Sequence, residues 1–384
     1  MNILFVVDIL LSGRGGMETA LSLIYHELKE RHNVTVILKG ESRDTTWQEG
    51  INTIALSAKI NDFIPQHILF NMYSAALANV MKDLPRADII VSTGAIGVKA
   101  STMAIERLNV QVPVVSWLHF NLDFYYQFFE DLRAADGHLA ISEGNLRDLQ
   151  CVFPEKHNRL VYNPVKFDNI PYVNRAVHPV FVVVGRLAKV KNVDQILRAF
   201  SPLQEKDFEL HIIGDGDQYE VLEELSRQLG LQDHMVWHGW QQRPWDVVRN
   251  ATSLVLASDT EPFGLVLIEA LSRGIPVISS NCKYGPGEIV NASNGWLYEP
   301  EDLGQLTSIL DRIMQGDLSL PAPEVCRESV RRYAVQSIAE RFELALQDIS
   351  KHRAIHRNES FTKYSKKQLT QQKNGSILEK NSNI

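Results

Sequence analysis

The segment EPFGLVLIE, residues 261–269, decides the fold of this chain of 384 residues. The apolar run 253–257 before it is typical of a buried parallel strand, and a polar turn, 258–260, separates the two. A helix is predicted from about Phe263 to Arg273, because a glycine and a proline follow at once as stop signals. The segment thus joins the carboxyl end of a strand to the amino end of a helix, where open α/β sheets bind ligands.

Two glutamates stand at the ends of this segment, Glu261 and Glu269. The free backbone amides of a first helical turn favour an anionic or hydroxyl-rich ligand, and Glu269 follows two turns later on about the same face. Its neighbours are apolar, so its carboxylate needs a partner, which a ligand hydroxyl can supply. The alternative is that Glu261 is a helix-start charge and Glu269 a solvated surface acid.

Length and composition are typical of a soluble globular protein of two domains. The chain is 45% hydrophobic and 22% charged, and its net charge of −7 argues against a nucleic-acid partner. Three scattered cysteines show no metal-binding spacing, and we expect reduced thiols of a cytoplasmic protein. We expect no signal peptide, since the first residues run directly into an apolar strand, and no membrane-spanning run.

Strand-like and helix-like segments alternate along the chain, which predicts doubly wound parallel sheets of the α/β class. We expect a first domain at residues 1–165 and a second at 178–335, joined by a linker over 166–179. A helix at about 336–349 could pack back on the first domain. Residues 351–384 carry a net charge of +6, which leaves −13 for the rest. This basic tail is expected to be disordered, and the alternative is a tether to anionic lipid.

Hydrophobic periodicity gives the bounds of the predicted elements. The predicted strands are 3–7, 34–38, 51–55, 89–92, 114–117, 138–141, 180–184, 210–213, 235–238, 253–257, 277–279 and 296–298. The principal predicted helices are 19–31, 192–200, 217–229, 263–273, 302–314 and one or two within 323–349.

The loop after the first strand, residues 11–18, is rich in glycine. Gly13 and Gly15 fit a dinucleotide-binding fingerprint, but Glu18 stands where the third glycine is required, so nicotinamide binding is weakly indicated. The backbone amides at Gly15 and Gly16 can still approach an anion. A merely tight turn is the alternative.

The corresponding loop of the second domain, VGRLAKVKN at 184–192, opens a helix and carries Arg186 and Lys191. A guanidinium and an ammonium beside helix amides suit a diphosphate, although two surface cations in a loop are common. The next turn, 214–217, contains a D-x-D pair that could hold a divalent metal. Asp217 directly precedes a helix, so we interpret it as an N-cap and predict no metal site.

His119 lies in SWLHFNLD, 116–123, directly after a buried strand. Active groups gather at such strand ends, and Ser142 and Asn163 are expected at the same sheet edge. A lone histidine is nevertheless more often structural. The aromatic segment 237–245, WHGWQQRPW, could position a nucleotide base or pack in the core.

Over residues 1–348 these motifs resemble the retaining GT-B glycosyltransferases of the family-4 type. The resemblance is carried by the Glu261/Glu269 pair, GRLAKVKN at 185–192, GDG at 214–216 and GPGEI at 285–289. SWLHFNLD, HLAIS, WHGWQQRPW and EALSRGIPVIS resemble in particular the enterobacterial lipopolysaccharide-core hexosyltransferases of the 1,6-galactosyltransferase group. That group tends to have Glu-Gly-Phe-Pro where this chain has EPFG, so the donor sugar stays open.

The resemblance implies two Rossmann-like domains that face each other across a cleft. It implies transfer of a hexose, with galactose or glucose favoured, from a UDP-sugar to a lipid-linked saccharide such as the lipopolysaccharide core, at the cytoplasmic face of the inner membrane and without a metal cofactor. The implied catalytic residues are His119, Glu261, Arg186 and Lys191. The implied donor-binding residues are Gly15, Gly16, Arg186, Lys191, Glu261, Phe263, Gly264, Leu265 and Glu269.

Two alternative functions fit the same sequence features. A GT-B nucleotide-sugar epimerase or hydrolase would use the same diphosphate site and would act on the donor alone. A non-catalytic membrane-surface protein would bind lipid through the basic tail and show no turnover.

Overall fold

The computed structural model describes residues 1–8, 15–56 and 65–353. Its first sheet contains seven strands: β1 (Asn2–Val7), β2 (Asn33–Leu38), β3 (Thr53–Ala55), β4 (Ile89–Ser92), β5 (Val114–Leu118), β6 (Gly137–Ala140) and β7 (His157–Leu160). Their spatial order is β3-β2-β1-β4-β5-β6-β7, and all neighbours are parallel. The order reverses between β1 and β4, where a doubly wound sheet opens a crevice at its strand ends.

The second half of the chain forms another parallel sheet. Its strands are β8 (Asn174–Arg175), β9 (Val180–Val184), β10 (Glu209–Ile213), β11 (Met235–Gly239), β12 (Asn250–Ala251), β13 (Ser253–Leu256), β14 (Thr260–Glu261), β15 (Val277–Ser280), β16 (Lys283–Tyr284) and β17 (Gly295–Tyr298). Six of them make the sheet β11-β10-β9-β13-β15-β17, and the others pair as β12-β8 and β14-β16. Here the order reverses between β9 and β13, so this sheet also has a crevice.

Helices cover both sheets. They are α1 (Gly16–Leu28), α2 (Gln66–Lys82), α3 (Ala95–Arg107), α4 (Phe129–Leu132), α5 (Glu143–Val152), α6 (Val193–Phe200), α7 (Tyr219–Gln228), α8 (Leu265–Ser272), α9 (Pro286–Ile289), α10 (Leu303–Met314), α11 (Pro323–Ser329) and α12 (335–353). Among the described helices, none combines the length and the apolar character needed to cross a bilayer. The predicted α/β class with two Rossmann-like parallel-sheet domains is confirmed.

The strands form where apolar runs are buried on both faces. In β1 the side chains of Phe5 and Val7 enter one core, and those of Leu4 and Val6 enter the core on the opposite face. A strand covered by helices on both sides has no solvent-facing positions, so its sequence is continuously apolar. This explains why most long strands match the predicted bounds within one or two residues.

The structure differs from the predictions at several short elements. Strand β7, with sequence HNRL, was not predicted, because it lies at the sheet edge and has no apolar run. The predicted linker contains β8, which pairs with β12. Helix α1 begins at Gly16, three residues before the predicted start. Part of the predicted loop 11–18, and the tail beyond residue 353, lie outside the described residues.

The final helix, α12, returns to the first sheet. The ring of Phe342 lies 5.9 Å from that of Phe5 and 5.0 Å from that of Trp117, measured between centroids. Near the end of the helix, Asp348 accepts a hydrogen bond from Arg159 of β7 at 2.8 Å. The helix therefore fills the face of the first sheet next to β5, the strand that leads to His119.

We expect Phe342→Ala to lower the free energy of unfolding by about 3–5 kcal/mol, because it removes a fully buried ring and leaves a cavity. The control is Leu344→Ala on the same helix, whose side chain is 62% exposed. That change should cost less than about 0.5 kcal/mol. Denaturant titration of both variants measures the difference, and equal losses would show that α12 is not anchored through Phe342.

Candidate active site

The crevice of the second sheet is bounded by the loops that follow β9 and β13. The β9 loop carries Arg186 and Lys191 and ends at Asn192, and the β13 loop leads to Glu261. The side-chain amide of Asn192 donates to Asp259, which fastens one loop to the other. Arg186 and Lys191, which are predicted to bind a diphosphate, therefore lie at the point where the strand order reverses. This is the expected position of a ligand site in this fold.

Lys191 and Glu261 form an ion pair in this crevice. The ammonium Nζ donates to Glu261 Oε2 at 2.5 Å, and the hydroxyl of Ser258 donates to the same oxygen at 3.2 Å. Both ionic side chains are largely buried, with 28% and 13% exposed. The carboxylate holds the ammonium in place and compensates its charge, so an arriving anion would meet an ordered cation.

Arg186 differs from Lys191 in its surroundings. Its side chain is exposed, and among the described residues it has neither a hydrogen-bond partner nor a carboxylate within ion-pair distance. A guanidinium carries five donors in a planar fork that fits phosphate oxygens. Arg186 is thus available to an anion, whereas Lys191 must share its charge with Glu261.

Two helix amino ends also converge on the cleft. Gly264 precedes α8 with φ of 97°, a left-handed conformation that suits glycine. Gly15 is the N-cap of α1, and a Cβ atom added to Gly16 would lie 3.6 Å from Cδ2 of Leu265. The first-turn amides of a helix have no intrahelical acceptors, so both ends favour an anion.

Phe263 lies in the core, and the helix start predicted near it requires a correction. Its side chain is 1% exposed and packs at 5.3 Å from Tyr333 and 5.8 Å from Tyr162. The helix also begins at Leu265 and not near Phe263, because Gly264 turns the chain first. The side chain of Phe263 therefore supports the core, and only its backbone could reach a ligand.

Glu269 lies on α8, half-buried beside an aromatic residue of the 237–245 segment. Its Oε2 accepts a hydrogen bond from Nε1 of Trp245 at 3.0 Å, and the guanidinium of Arg273 stacks on the same indole at 4.9 Å. Burial raises the pKa of Glu269, while the Trp245 bond and the charge of Arg273 oppose the rise. Trp245 is thus packed against the core and at the same time positions this carboxylate.

His119 follows β5, with its ring 4.3 Å from that of Trp117. The side chain is buried, and neither ring nitrogen has a hydrogen-bond partner in the described part of the chain. Desolvation lowers the pKa of His119 to about 3. The imidazole is therefore neutral near pH 7, and it offers one donor and one acceptor to a ligand hydroxyl.

Contacts between the two domains place His119 next to the second-domain site. The side-chain amide of Asn121 donates to the hydroxyl of Thr260, which adjoins Glu261. Glu288 of α9 accepts hydrogen bonds from the backbone amides of Glu143 and Gly144, at 2.9 and 3.0 Å, at the start of α5. The second domain thus supplies acceptors for first-domain amides that helix geometry leaves free.

The sequence does not predict these contacts, although Asn121 and Glu288 both lie in motifs that it contains. GPGEI resembles a motif of the family, but no sequence pattern reveals that its glutamate caps a helix of the other domain. The same holds for Asp8, buried at the end of β1, where it accepts from the amide of Gly97 at 2.9 Å. Desolvation raises its pKa. The only sequence signal was an acid that directly follows an apolar strand.

The D-x-D turn shows a second correction. Asp217 is not the N-cap of α7; Gln218 occupies that position without a side-chain capping bond, because the helix starts later than predicted. Asp215 accepts from the amide of Gly216 at 2.8 Å. Within the described residues, the group that could hold a metal ion is His157, Asp348 and His352. This group lies at the amino end of β7, whereas His119 follows the carboxyl end of β5, so the two are at opposite ends of the parallel strands.

Because His119 is buried in its neutral form, acid should destabilise the fold through this residue. Its pKa falls from 6.5 in the unfolded chain to about 3 in the folded one, so the unfolded state binds the extra proton between those values and stability drops as pH falls through that window. Between pH 7 and 5, wild type should lose about 2 kcal/mol more than His119→Gln. Denaturant titration at both pH values measures this.

His67→Gln, at an exposed position of α2, is the matched control and should follow wild type. The same pH dependence in His119→Gln and wild type would show that this histidine titrates normally.

Comparison with known proteins gives the chain its family. A family model described as "Glycosyl transferases group 1" matches residues 172–333. The lipopolysaccharide 1,6-galactosyltransferase of Escherichia coli (strain K12) is 30% identical over 333 residues, which cover 83% of this chain and 91% of that protein. The enzyme of the same name from Salmonella typhimurium is 30% identical over 335 residues, with the same coverage.

Solved structures agree with this assignment. The lipopolysaccharide outer core galactosyltransferase WaaB in its apo form superposes with a TM-score of 0.76 at 28% identity, over 91% of this chain and 99% of that one. Anabaena HepE, crystallised with UDP, has a TM-score of 0.72 at 19% identity and shares the fold, over 91% of this chain and 100% of that one. The chain belongs to the group 1 glycosyltransferase family and is a glycosyltransferase of the GT-B fold.

Proposed function

We propose that this enzyme transfers a hexose from a UDP-sugar to the saccharide of a lipid-linked acceptor, the lipopolysaccharide core, at the cytoplasmic face of the inner membrane. Galactose is the first candidate, because the two relatives that match over most of the chain are named as galactosyltransferases. The observation that carries the proposal is the convergence of Arg186, Lys191 and two helix amino ends on one cleft.

The chemical demand of the reaction explains this arrangement. When the bond between the anomeric carbon and the phosphate oxygen breaks, negative charge grows on the departing diphosphate. Arg186, Lys191 and the first-turn amides of α8 would stabilise that charge, which is electrostatic catalysis by groups already in place. The body of the protein is strongly acidic, so local cations are needed to hold a polyanion there.

Each acidic or neutral residue of the site then has a distinct role. Glu269, positioned by Trp245, would bind the ribose hydroxyls through charge-assisted hydrogen bonds. Glu261 would lie at the transferred sugar, where it also orients Lys191. His119 would bind a sugar hydroxyl through its unpartnered ring nitrogens. With a pKa of about 3 it is a poor proton acceptor, so it would act as a hydrogen-bonding group and not as a general base.

Retention at the anomeric carbon would follow from attack on the same face that the diphosphate leaves. A donor phosphate oxygen would accept the proton of the acceptor hydroxyl, so no covalent protein intermediate is required. The cations of the chain would supply the charge stabilisation, and we therefore propose that catalysis requires no metal ion.

Incubation with UDP-galactose or UDP-glucose and a rough-type lipopolysaccharide acceptor tests the proposal. We expect mass spectrometry to show an acceptor heavier by one hexose. The donor alone should be consumed much more slowly, because domain closure around both substrates limits hydrolysis. Donor consumption at the same rate with and without acceptor, and no heavier acceptor, would favour a hydrolase or an epimerase.

Lys191→Ala should lower the turnover number by at least ~100-fold, the scale seen when one transition-state charge stabiliser is removed. The matched control is Lys189→Ala, which removes an exposed lysine from the same turn and should keep nearly full activity. Wild type should also keep full activity in EDTA. Activity that EDTA abolishes and Mg²⁺ or Mn²⁺ restores would contradict charge stabilisation by Arg186 and Lys191 without a metal ion.

A further inference from the structure

Three exposed aromatic rings stand on the first domain directly after His119. Phe120, Phe124 and Tyr126 are 37%, 62% and 64% exposed, and we call them the aromatic platform. The rings of Phe120 and Phe124 stack with centroids 4.7 Å apart and planes at 29°. Scattered apolar side chains on a surface are normal, but a contiguous exposed cluster marks a binding site.

The platform is held in place by a buried neighbour. The ring of Tyr125, which is 4% exposed, meets Phe124 edge-on at 5.2 Å and Phe120 at 6.4 Å. All four residues lie in or next to the 3₁₀ helix Leu122–Phe128. The buried ring of Tyr125 thus contacts Phe120 and Phe124, so these two exposed rings are ordered before any ligand arrives.

The platform adjoins the cleft. Phe120 lies between His119 and Asn121, and the amide of Asn121 donates to Thr260, next to Glu261. Across the cleft, the ammonium of Lys283 lies 3.6 Å from a carboxylate oxygen of Asp123. A ligand that reaches the sugar-transfer position from the first-domain side would therefore pass over these rings.

Charge decides which ligand fits. Residues 118–132 contain three acids, Asp123, Glu130 and Asp131, and neither lysine nor arginine. Asp123 and Glu130 are strongly exposed, but each pairs with a cation: Asp123 with Lys283 at 3.6 Å and Glu130 with Arg133 at 3.4 Å. Surfaces that bind anionic membranes need a cluster of basic residues near the apolar anchors. Both of these cations are paired with an acid and form no such cluster, so the nearly neutral surround disfavours an anionic membrane and favours an uncharged ligand with apolar faces.

We propose that the aromatic platform binds an uncharged pyranose ring of the acceptor saccharide and presents the next hydroxyl to the donor. The C–H groups on one face of a pyranose carry partial positive charge and meet the negative face of an aromatic ring. Sugar hydroxyls at the ring edge remain free for water or for the neighbouring acids. The inference rests on the proposed function, because it takes the acceptor to be a saccharide.

The test uses Phe124→Ala, Tyr126→Ala and the conservative Phe124→Tyr in the full chain. The probe is the delipidated core oligosaccharide of rough-type lipopolysaccharide, and its binding is measured by saturation-transfer NMR in the presence of UDP. Each alanine variant should bind the oligosaccharide about two- to tenfold more weakly, the range of one aromatic contact. Phe124→Tyr should bind nearly as wild type does. UDP affinity, measured by calorimetry, should be unchanged in all three.

Val221→Ala is the control, because Val221 is 60% exposed on α7 of the second domain. It should leave oligosaccharide binding unchanged. Binding to vesicles of phosphatidylethanolamine and phosphatidylglycerol should be the same for wild type and the platform variants. A loss of vesicle binding with unchanged oligosaccharide affinity would identify a membrane-binding surface and overturn the proposal.

The outcomes separate this inference from the proposed function. Hexose transfer with equal oligosaccharide affinity in wild type and both alanine variants would refute the platform and leave the transferase function intact. Oligosaccharide binding that depends on the rings, without any transfer, would support the platform and refute the function. A wild type that does not bind the oligosaccharide at all would refute the platform.

Discussion

The carboxylate of Glu288 crosses from the second domain to the first and accepts two hydrogen bonds from the start of α5. This contact matters because each parallel sheet gathers its chemistry at the carboxyl ends of its strands. A single sheet edge offers only half of a site. The bond from Asn121 to Thr260 is a second link between the domains, and it brings the segment of His119 to the loop that leads to Glu261.

The two domains contribute groups of different charge to the site. The second domain contributes Arg186 and Lys191 to a protein body that is otherwise acidic, so a diphosphate would find its counter-charges in one place. The first domain contributes a neutral, desolvated imidazole and the amino end of α1. Charged groups would hold the leaving part of the donor, and uncharged groups would hold the sugar, whose hydroxyls need hydrogen bonds and not charge.

The sequence predicted what depends on local pattern. The predicted bounds of β4 and β9 match the structure residue for residue. A continuous apolar run is stable when both of its faces are buried, as they are in a parallel sheet covered by helices on both sides. The turns that lead to Lys191 and Glu261 could be predicted because each directly follows such an apolar strand, β9 or β13. The polar edge strand β7 was missed, since its stability comes from pairing with β6 and not from its own composition.

What could not be predicted depends on contacts far apart in the sequence. The ring of Phe263, for example, is enclosed by Tyr162 and Tyr333 from other segments. Asp217 was predicted to cap a helix, but α7 begins at Tyr219, so Gln218 is the N-cap residue. The Trp245–Glu269 bond also joins residues that no local pattern connects. The positions of these side chains depend on tertiary packing between distant segments, which local sequence patterns do not show.

If the two domains form one site for sugar transfer with retention, the new glycosidic bond keeps the configuration of the donor. Proton NMR of the product made from an α-linked UDP-hexose measures this, because the coupling at the anomeric proton reports the configuration of the new bond. We expect an acceptor that carries an α-linked hexose. A β-linked product would contradict retention, and release of free hexose with no glycosidic product would contradict transfer itself.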